Sequence, residues 1–301
     1  MKKQSKDVKN KQKISGEGSK NYFRPQSKEG LIEILKDYDK DFTIIAGGTD
    51  LLVAKFERLH EIDDWLDLNW VNEFKEIKIY DDKVEIGSMV THERLFKLDT
   101  IKELFPVLQK AASDVGSPQI RSRGTIGGNI VTSSPAGDLL PPLLVYDAKV
   151  KVLSKDGEKT VDINEFFTGP KKNILNKGEI LEKIILPLKD EKQKGVWKKV
   201  GKRKALVISS ISLALNLVFK DEKNIKDAKI CIGSAAPVPL RIKEAEEYLN
   251  NKNINKVNLE KLGEIVAEEI SPIDDIRGTA KYRRQTINNI TKSAFREVIN
   301  S

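Results

Sequence analysis

Residues 125–150, TIGGNIVTSSPAGDLLPPLLVYDAKV, place two glycines beside an asparagine, then small hydroxyl residues, then one aspartate ahead of an apolar run. Glycine permits close backbone approach and positive φ, and consecutive amides in such a turn form a nest for an anion. Gly127, Gly128 and Asn129 are the candidate nest. Thr125, Thr132, Ser133 and Ser134 are short donors suited to a phosphate or a ribose. Asp138, when ionised, only accepts hydrogen bonds, which suits a ribose hydroxyl or an adenine amine. The plainer alternative is a glycine turn followed by a helix capped at Ser134 or Asp138, with Pro135 in its first turn. The stretch alone supports both.

A second stretch, residues 44–51, reads IIAGGTDL. A β-branched strand enters, Gly47 and Gly48 turn, and Thr49 and Asp50 precede an apolar segment. This is another candidate nest, with an ordinary strand-to-helix turn as the alternative. It lacks the G-x-G-x-x-G spacing of a nicotinamide-type fingerprint. Together the two stretches expect more than either alone: two nests, distant in sequence, closing on the diphosphate of one dinucleotide. No P-loop lysine follows either glycine pair, which disfavours a triphosphate hydrolase. No catalytic histidine, cysteine or acid pair stands out, so the chain reads as a holder of a cofactor.

Composition narrows the chemistry further. A length of 301 residues suggests about two domains at roughly 150 residues each. One cysteine, Cys231, cannot make an internal disulfide or ligate an iron–sulfur cluster, which takes about four thiolates. The two histidines, His60 and His92, are too few and too far apart to suggest zinc. Any redox chemistry therefore belongs to an organic cofactor. The first 20 residues carry seven lysines against one aspartate and one glutamate, a net +5 of the chain's +8. That basic tail, residues 1–20, is expected to be disordered, and the small charge of the remainder argues against nucleic acid. Neither a secretory signal nor an apolar run long enough for a membrane span is present; a cytoplasmic location is expected.

Periodicity fills in the elements. Leu31, Ile32, Ile34 and Leu35 recur at near-helical spacing, so a helix is expected there, with Ser27 as its cap. Hairpins are expected around Asp81–Asp82 and Lys155–Gly157. Helices are expected in THERLFKL and in one stretch from Ile101 to near Gly116. GEILEKIILPL reads as a strand ending at Pro187, and the charged LKDEKQKG is a candidate boundary. Three strands and three helices follow. In the last helix Ile287, Ile290, Ala294, Phe295 and Val298 share one face. Strands before helices suit an α+β C-terminal domain. The expected units are 21–190, in two lobes split near 75, and 191–301.

The two glycine motifs, in this order and with these flanks, resemble the FAD-binding subunit of the xanthine dehydrogenase and carbon monoxide dehydrogenase family of molybdenum hydroxylases. The resemblance runs from about Asn21 to the C-terminus. It includes FFTGPKKNILNKGEILEKIILP from Phe166, WKKVGKRKALVISSISLAL from Trp197, CIGSAAPVPLRIKEAE from Cys231 and RGTAKYRR from Arg277. It implies an α+β fold, in which two small α/β lobes form a PCMH-type FAD-binding domain and an antiparallel sheet with helices follows. It implies a first cofactor loop of Ile45, Ala46, Gly47, Gly48, Thr49, Asp50 and Leu51. A second would comprise Thr125, Ile126, Gly127, Gly128 and Asn129. Gly116, Thr132, Asp138 and Leu181 are further expected contacts. Lys199 belongs to a segment expected near the flavin, with Lys198 an equal alternative and a solvated basic strand end, Lys198 to Lys204, the plain one. No catalytic residue and no metal ligand is expected.

The resemblance further implies partners. Substrate would react at a molybdenum cofactor on a large subunit, electrons would pass through iron–sulfur clusters on a small subunit, and FAD on this chain would deliver them to NAD⁺ or another acceptor. Purines lead as substrate, with nicotinate and aldehydes behind. The alternatives are an FAD oxidoreductase working alone and a nucleotide-binding protein without redox activity.

Overall fold

A computed structural model describes residues 11–13, 21–37, 42–57, 64–189, 192–203 and 207–300. The expected tail otherwise lies outside the described residues, as do His60 and Lys204. The fold is mixed α and β, built on three main sheets.

The first sheet holds β1 (Lys11–Lys13), β2 (Asn21–Phe23), β3 (Phe42–Ile45) and β4 (Asp64–Asp67), in the order β1-β2-β4-β3. β2 and β3 run parallel to β4, and β1 pairs antiparallel with β2. Helix α1 (Lys28–Asp37) links β2 to β3, and α2 (Leu51–Phe56) follows β3. Ser27 caps α1 as expected: its Oγ accepts from Gly30 N at 3.2 Å and its carbonyl from Leu31 N. Leu31 and Leu35, four residues apart, are the buried positions of α1, the spacing of one helix face.

The second sheet contains β5 (Ile77–Ile79), β6 (Lys83–Gly87), β7 (Lys149–Ser154), β8 (Gly157–Asp162) and β11 (Ile180–Pro187), ordered β5-β6-β11-β7-β8 and antiparallel throughout. Both expected hairpins form. Between β6 and β7 lie α3 (His92–Lys97), α4 (Asp99–Leu104), α5 (Pro106–Ser113), α6 (Pro118–Arg123), α7 (Ile126–Thr132) and α8 (Leu140–Val145). The single helix expected from Ile101 is two. Pro106 opens α5 and closes α4, because its ring disfavours helical backbone in the residue before it. Short α9 (Ile163–Phe166) and the small hairpin of β9 (Phe167–Gly169) and β10 (Lys172–Asn173) lead on to β11.

The third sheet is an antiparallel meander of β12 (Gln193–Val200), β13 (Ile211–Phe219), β14 (Ile225–Gly233) and β15 (Leu240–Arg241). After it come α10 (Lys243–Leu249), α11 (Leu259–Glu269) and α12 (Ala280–Asn300). Every residue of β13 is buried, since both faces of the sheet are covered. Leu213, Leu215 and Leu217 face a core shared with Leu262, Val266, Ile287, Ala294 and Phe295 of α11 and α12. Ala214, with Trp197 and Cys231, belongs instead to the core built by α3–α8 and the second sheet. Small residues on that face, Ser212 and Ala214 of β13 and Gly233 of β14, thus admit α8: a Cβ on Gly233 would come within 3.1 Å of Pro141.

Candidate cofactor site

β3 delivers the first glycine motif to the edge of its sheet. Ile45 is its last residue, opposite Asp67. The Ala46 carbonyl accepts from Asn69 Nδ2 at 2.7 Å, and Asn69 is itself held by Asp67 at 2.7 Å. Gly48 takes φ +73, a conformation that favours glycine, and its carbonyl accepts Leu52 N at 3.0 Å to start α2. Leu51 is the first residue of that helix, and the side chain of its cap residue, Asp50, makes no capping bond. Among the described residues the backbone N–H groups of Gly47, Gly48, Thr49 and Asp50 donate to no protein acceptor. This loop presents amides, as expected.

The second motif departs from expectation. Gly127, Gly128 and Asn129 are no nest; they lie inside α7, and neither glycine has positive φ. Thr125 is the helix cap, its Oγ1 accepting from Gly128 N at 3.0 Å. The plainer alternative, a helix capped at Ser134 or Asp138, does not form either; α8 starts later, behind Leu139. The amides of this turn are used internally: Ile126 N donates to Val90 O and Gly127 N to Ser88 O, both at 2.9 Å, and Asn129 N to Thr125 O at 3.0 Å. Gly127 is small because a Cβ there would meet Ser88 at 2.6 Å. At Gly128 a Cβ would meet only Thr125 Oγ1, so its outer face is open. Asn129 Oδ1 is buried without a partner.

The two stretches meet. A Cβ on Gly47 would lie 2.0 Å from the Arg123 carbonyl and 3.0 Å from Gly124, so the first loop packs on the backbone leading into the second. Thr132 Oγ1 donates to Asp50 Oδ2 at 3.4 Å. His92, which sequence reasoning set aside, supports this junction from below. It is buried, its backbone N–H donates to Gly124 O at 3.0 Å, and its ring would touch a Cβ on Gly124. Burial, with Arg121 nearby, pushes its pKa down to about 4.

Asp138 and Lys199 form a second node. Lys199 Nζ donates to Asp138 Oδ2 at 2.6 Å and to the Asp114 carbonyl at 2.9 Å. Both side chains are under a tenth exposed. Asp138 Oδ1 is buried with no partner. Burial pushes the Asp138 pKa up to about 6; Lys199 opposes that rise and Asp114 adds to it. Lys198, the equal alternative in sequence, points to Glu297 of α12. Gly116 stands in the turn from α5 to α6 at φ +44, its carbonyl accepting from Arg121 at 3.4 Å. Ile126 and Leu181 are buried side chains of the main core.

Asn69, Asp114 and Trp197 were not legible as site residues. Their partners lie 23, 83 and 85 positions away, and no local pattern announces them. The arrangement nevertheless fits a dinucleotide: free amides at Gly47–Asp50, an uncovered Gly128, and two buried acceptor atoms, Asn129 Oδ1 and Asp138 Oδ1, that lack donors. Buried polar atoms ordinarily have partners; of the nine described side-chain atoms buried without one, these two belong to residues expected to contact the cofactor. Among the described residues no group of His, Cys, Asp or Glu could hold a metal ion.

An FAD-type cradle in front of an antiparallel sheet with helices defines a class, the two-part flavoproteins of molybdenum enzymes. Residues 14–189 match the FAD binding domain in molybdopterin dehydrogenase, and residues 198–298 the CO dehydrogenase flavoprotein C-terminal domain. The chain is 31% identical to the glyceraldehyde dehydrogenase medium chain of Sulfolobus acidocaldarius, over 92% of this chain and 97% of that one. It is also 31% identical to the xanthine dehydrogenase FAD-binding subunit of Escherichia coli O157:H7, over 92% and 95%. Among solved structures it is similar to carbon monoxide dehydrogenase from Hydrogenophaga pseudoflava, with a TM-score of 0.86 and 26% identity, covering 92% of this chain and 96% of that one. The chain therefore belongs to the family of FAD-binding subunits of molybdenum hydroxylases, of the xanthine and carbon monoxide dehydrogenase type, and its cofactor is FAD.

Proposed function

We propose that this chain carries the flavin in a multi-subunit molybdenum hydroxylase of the xanthine dehydrogenase type. A molybdenum-cofactor large subunit oxidises the substrate, an iron–sulfur small subunit relays electrons, and NAD⁺ or another acceptor receives them. Bound FAD supplies the exchange between one-electron and two-electron carriers. The chain binds and orients it. In this assignment Gly47, Gly48, Thr49 and Asp50 offer amides to the diphosphate, with Ile45, Ala46 and Leu51 framing that loop. Thr125 and Ile126–Asn129 form the second wall, with Gly128 as the point of close approach. Thr132 and Asp138 supply polar contacts, Lys199 and Gly116 border the node at Asp138, and Leu181 packs beneath. The working units are 21–190, in two lobes divided near 75, and 191–301. A cytoplasmic site of action suits a chain whose described residues include no helix long and apolar enough to cross a membrane.

The observation that carries this assignment is the packing of Gly47 on the Arg123–Gly124 backbone, which joins an amide-presenting loop to the Thr125 turn. Purified chain reconstituted with FAD should show a flavin spectrum and release FAD on heating. Colourless protein would remove the cofactor assignment. Co-purification with molybdenum- and iron-containing subunits tests the assembly; a monomeric flavoprotein that turns over a small substrate unaided would replace it.

A further inference from the structure

Asp114 ends helix α5, outside every motif quoted above. Its carboxylate Oδ2 accepts from the Trp197 indole at 3.1 Å, and its backbone carbonyl accepts from Lys199 Nζ at 2.9 Å. Trp197 and Lys199 are two apart on β12 and so share one face of the strand. One residue thus grips two same-face side chains of the third sheet. Trp197 is itself buried in the core that α5 and α8 build, which makes the indole contact a fixed point between helix and strand.

The consequence falls on Lys199. An ammonium on a four-carbon stem has much rotamer freedom, and two acceptors on different elements remove it: the Asp114 carbonyl from α5, and Asp138 Oδ2 from the loop before α8. We propose that Asp114, together with Trp197, is a positioning residue of the cofactor site: by locking the end of α5 to β12 it sets where the Lys199 ammonium stands, and so how Asp138 is presented to FAD. This rests on the assignment of Asp138 and Lys199 to the FAD site. The charged groups acting on Asp138 are Lys199 from β12 and Asp114 from α5; Asp114 is in turn paired with Lys110 at 3.0 Å.

The test uses full-length chain reconstituted with FAD, titrated from neutral to acid pH, with melting temperatures alongside. Trp197→Phe keeps the packing and removes the indole donor. It should weaken FAD about three- to tenfold, less than the full worth of a hydrogen bond to a charged group because the effect reaches FAD only through Lys199, and raise the pH midpoint of FAD release, because a loosened Lys199 opposes Asp138 protonation less. Asp114→Asn keeps an oxygen for the indole and removes a negative charge, so its midpoint should fall. The fall in Asp114→Asn reads its charge on Asp138 directly; the rise in Trp197→Phe, which changes no charge, supports the positioning role. If Lys199→Met weakens FAD while both variants hold the parent affinity and midpoint, whatever their melting temperatures, the role is overturned. If Lys199→Met and Asp138→Asn both bind FAD like the parent, the site assignment itself fails and the positioning role falls with it.

Discussion

Asp138 shows at the residue scale how burial turns a carboxylate into a titrating contact. Hydrogen bonds to charged groups are worth about 1.5–3 kcal/mol, so Asp138→Ala should weaken FAD by about one to two decades. Equilibrium dialysis of the reconstituted variant checks this. Folding also moves two pKa values in opposite directions. Asp138 rises from 3.8 to about 6, so its contribution to stability is full below pH 3.8 and is lost as pH rises through about 6. His92 falls from 6.5 to about 4, so its contribution is present above 6.5 and is lost as pH falls through about 4. The two windows overlap and oppose. Asp138→Asn should expose the His92 loss on acidification, seen as a urea midpoint that drops between pH 6.5 and 4 more steeply than in the parent. Equal slopes would contradict the burial of Asp138. The glycines divide similarly by cause. Gly47→Ala drives a Cβ into the Arg123 carbonyl, so it should lower stability by about 1–3 kcal/mol, the cost of overpacking, and FAD binding with it. Gly128→Val faces open space apart from Thr125 Oγ1, 3.0 Å from the new Cβ, so it should weaken FAD by far more than the small loss of melting temperature that follows from crowding the cap.

Element by element, the second motif is where local reading and fold part company. T-I-G-G-N looks like a turn, because glycine disfavours helix by about 1 kcal/mol per residue. Two tertiary needs override that propensity. Gly127 must clear Ser88, and the Ile126 and Gly127 amides are claimed by Val90 and Ser88. Thr125 then caps the resulting helix. Thr125→Ala should therefore cost about 1 kcal/mol, measurable as a shift in the denaturation midpoint. A neutral result would mean that α7 is held by its neighbours alone. By contrast α1, both hairpins and α12 were readable in advance. Their periodicities, the Ser27 cap and the Asp81–Asp82 and Lys155–Gly157 turns are local signals, and Ile287, Ala294, Phe295 and Val298 are buried as their spacing required.

For the whole molecule, the third sheet is covered on both faces, and this couples the two matched domains. Trp197, Ala214 and Cys231 belong to the core of the preceding part. Polar contacts add to it: Arg241 donates to the Leu144 carbonyl at 2.9 Å and pairs with Asp147 and with buried Glu246. On the other side Lys28 of α1 reaches Glu182 of β11 at 2.8 Å and also pairs with Glu158, tying the first sheet to the second. Arg241→Met leaves buried Glu246 with only the exposed Lys243 at 3.2 Å and the Ile230 amide, so it should cost about 1–3 kcal/mol, the penalty for a buried group that loses one of its partners. Thermal unfolding of that variant, compared with the parent by calorimetry, measures it. Loss of less than about 1 kcal/mol would mean that the pair behaves as a surface salt bridge.

The amino-acid sequence alone determined the strands and helices with clear periodicity, the absence of any cysteine set for an iron–sulfur cluster, the two glycine motifs, and through them the family and its FAD. Those properties are carried by neighbours in the chain, where residue type and spacing act directly. Only the tertiary structure decided that the first loop presents free amides while the second spends its own on Val90 and Ser88. Only it chose Lys199 over Lys198 as the partner of Asp138, and brought Asp114, Trp197 and Asn69 to the site. Such contacts join residues far apart in sequence, and what selects them is burial: a polar group removed from water takes whichever partner the packing of the sheets brings within reach.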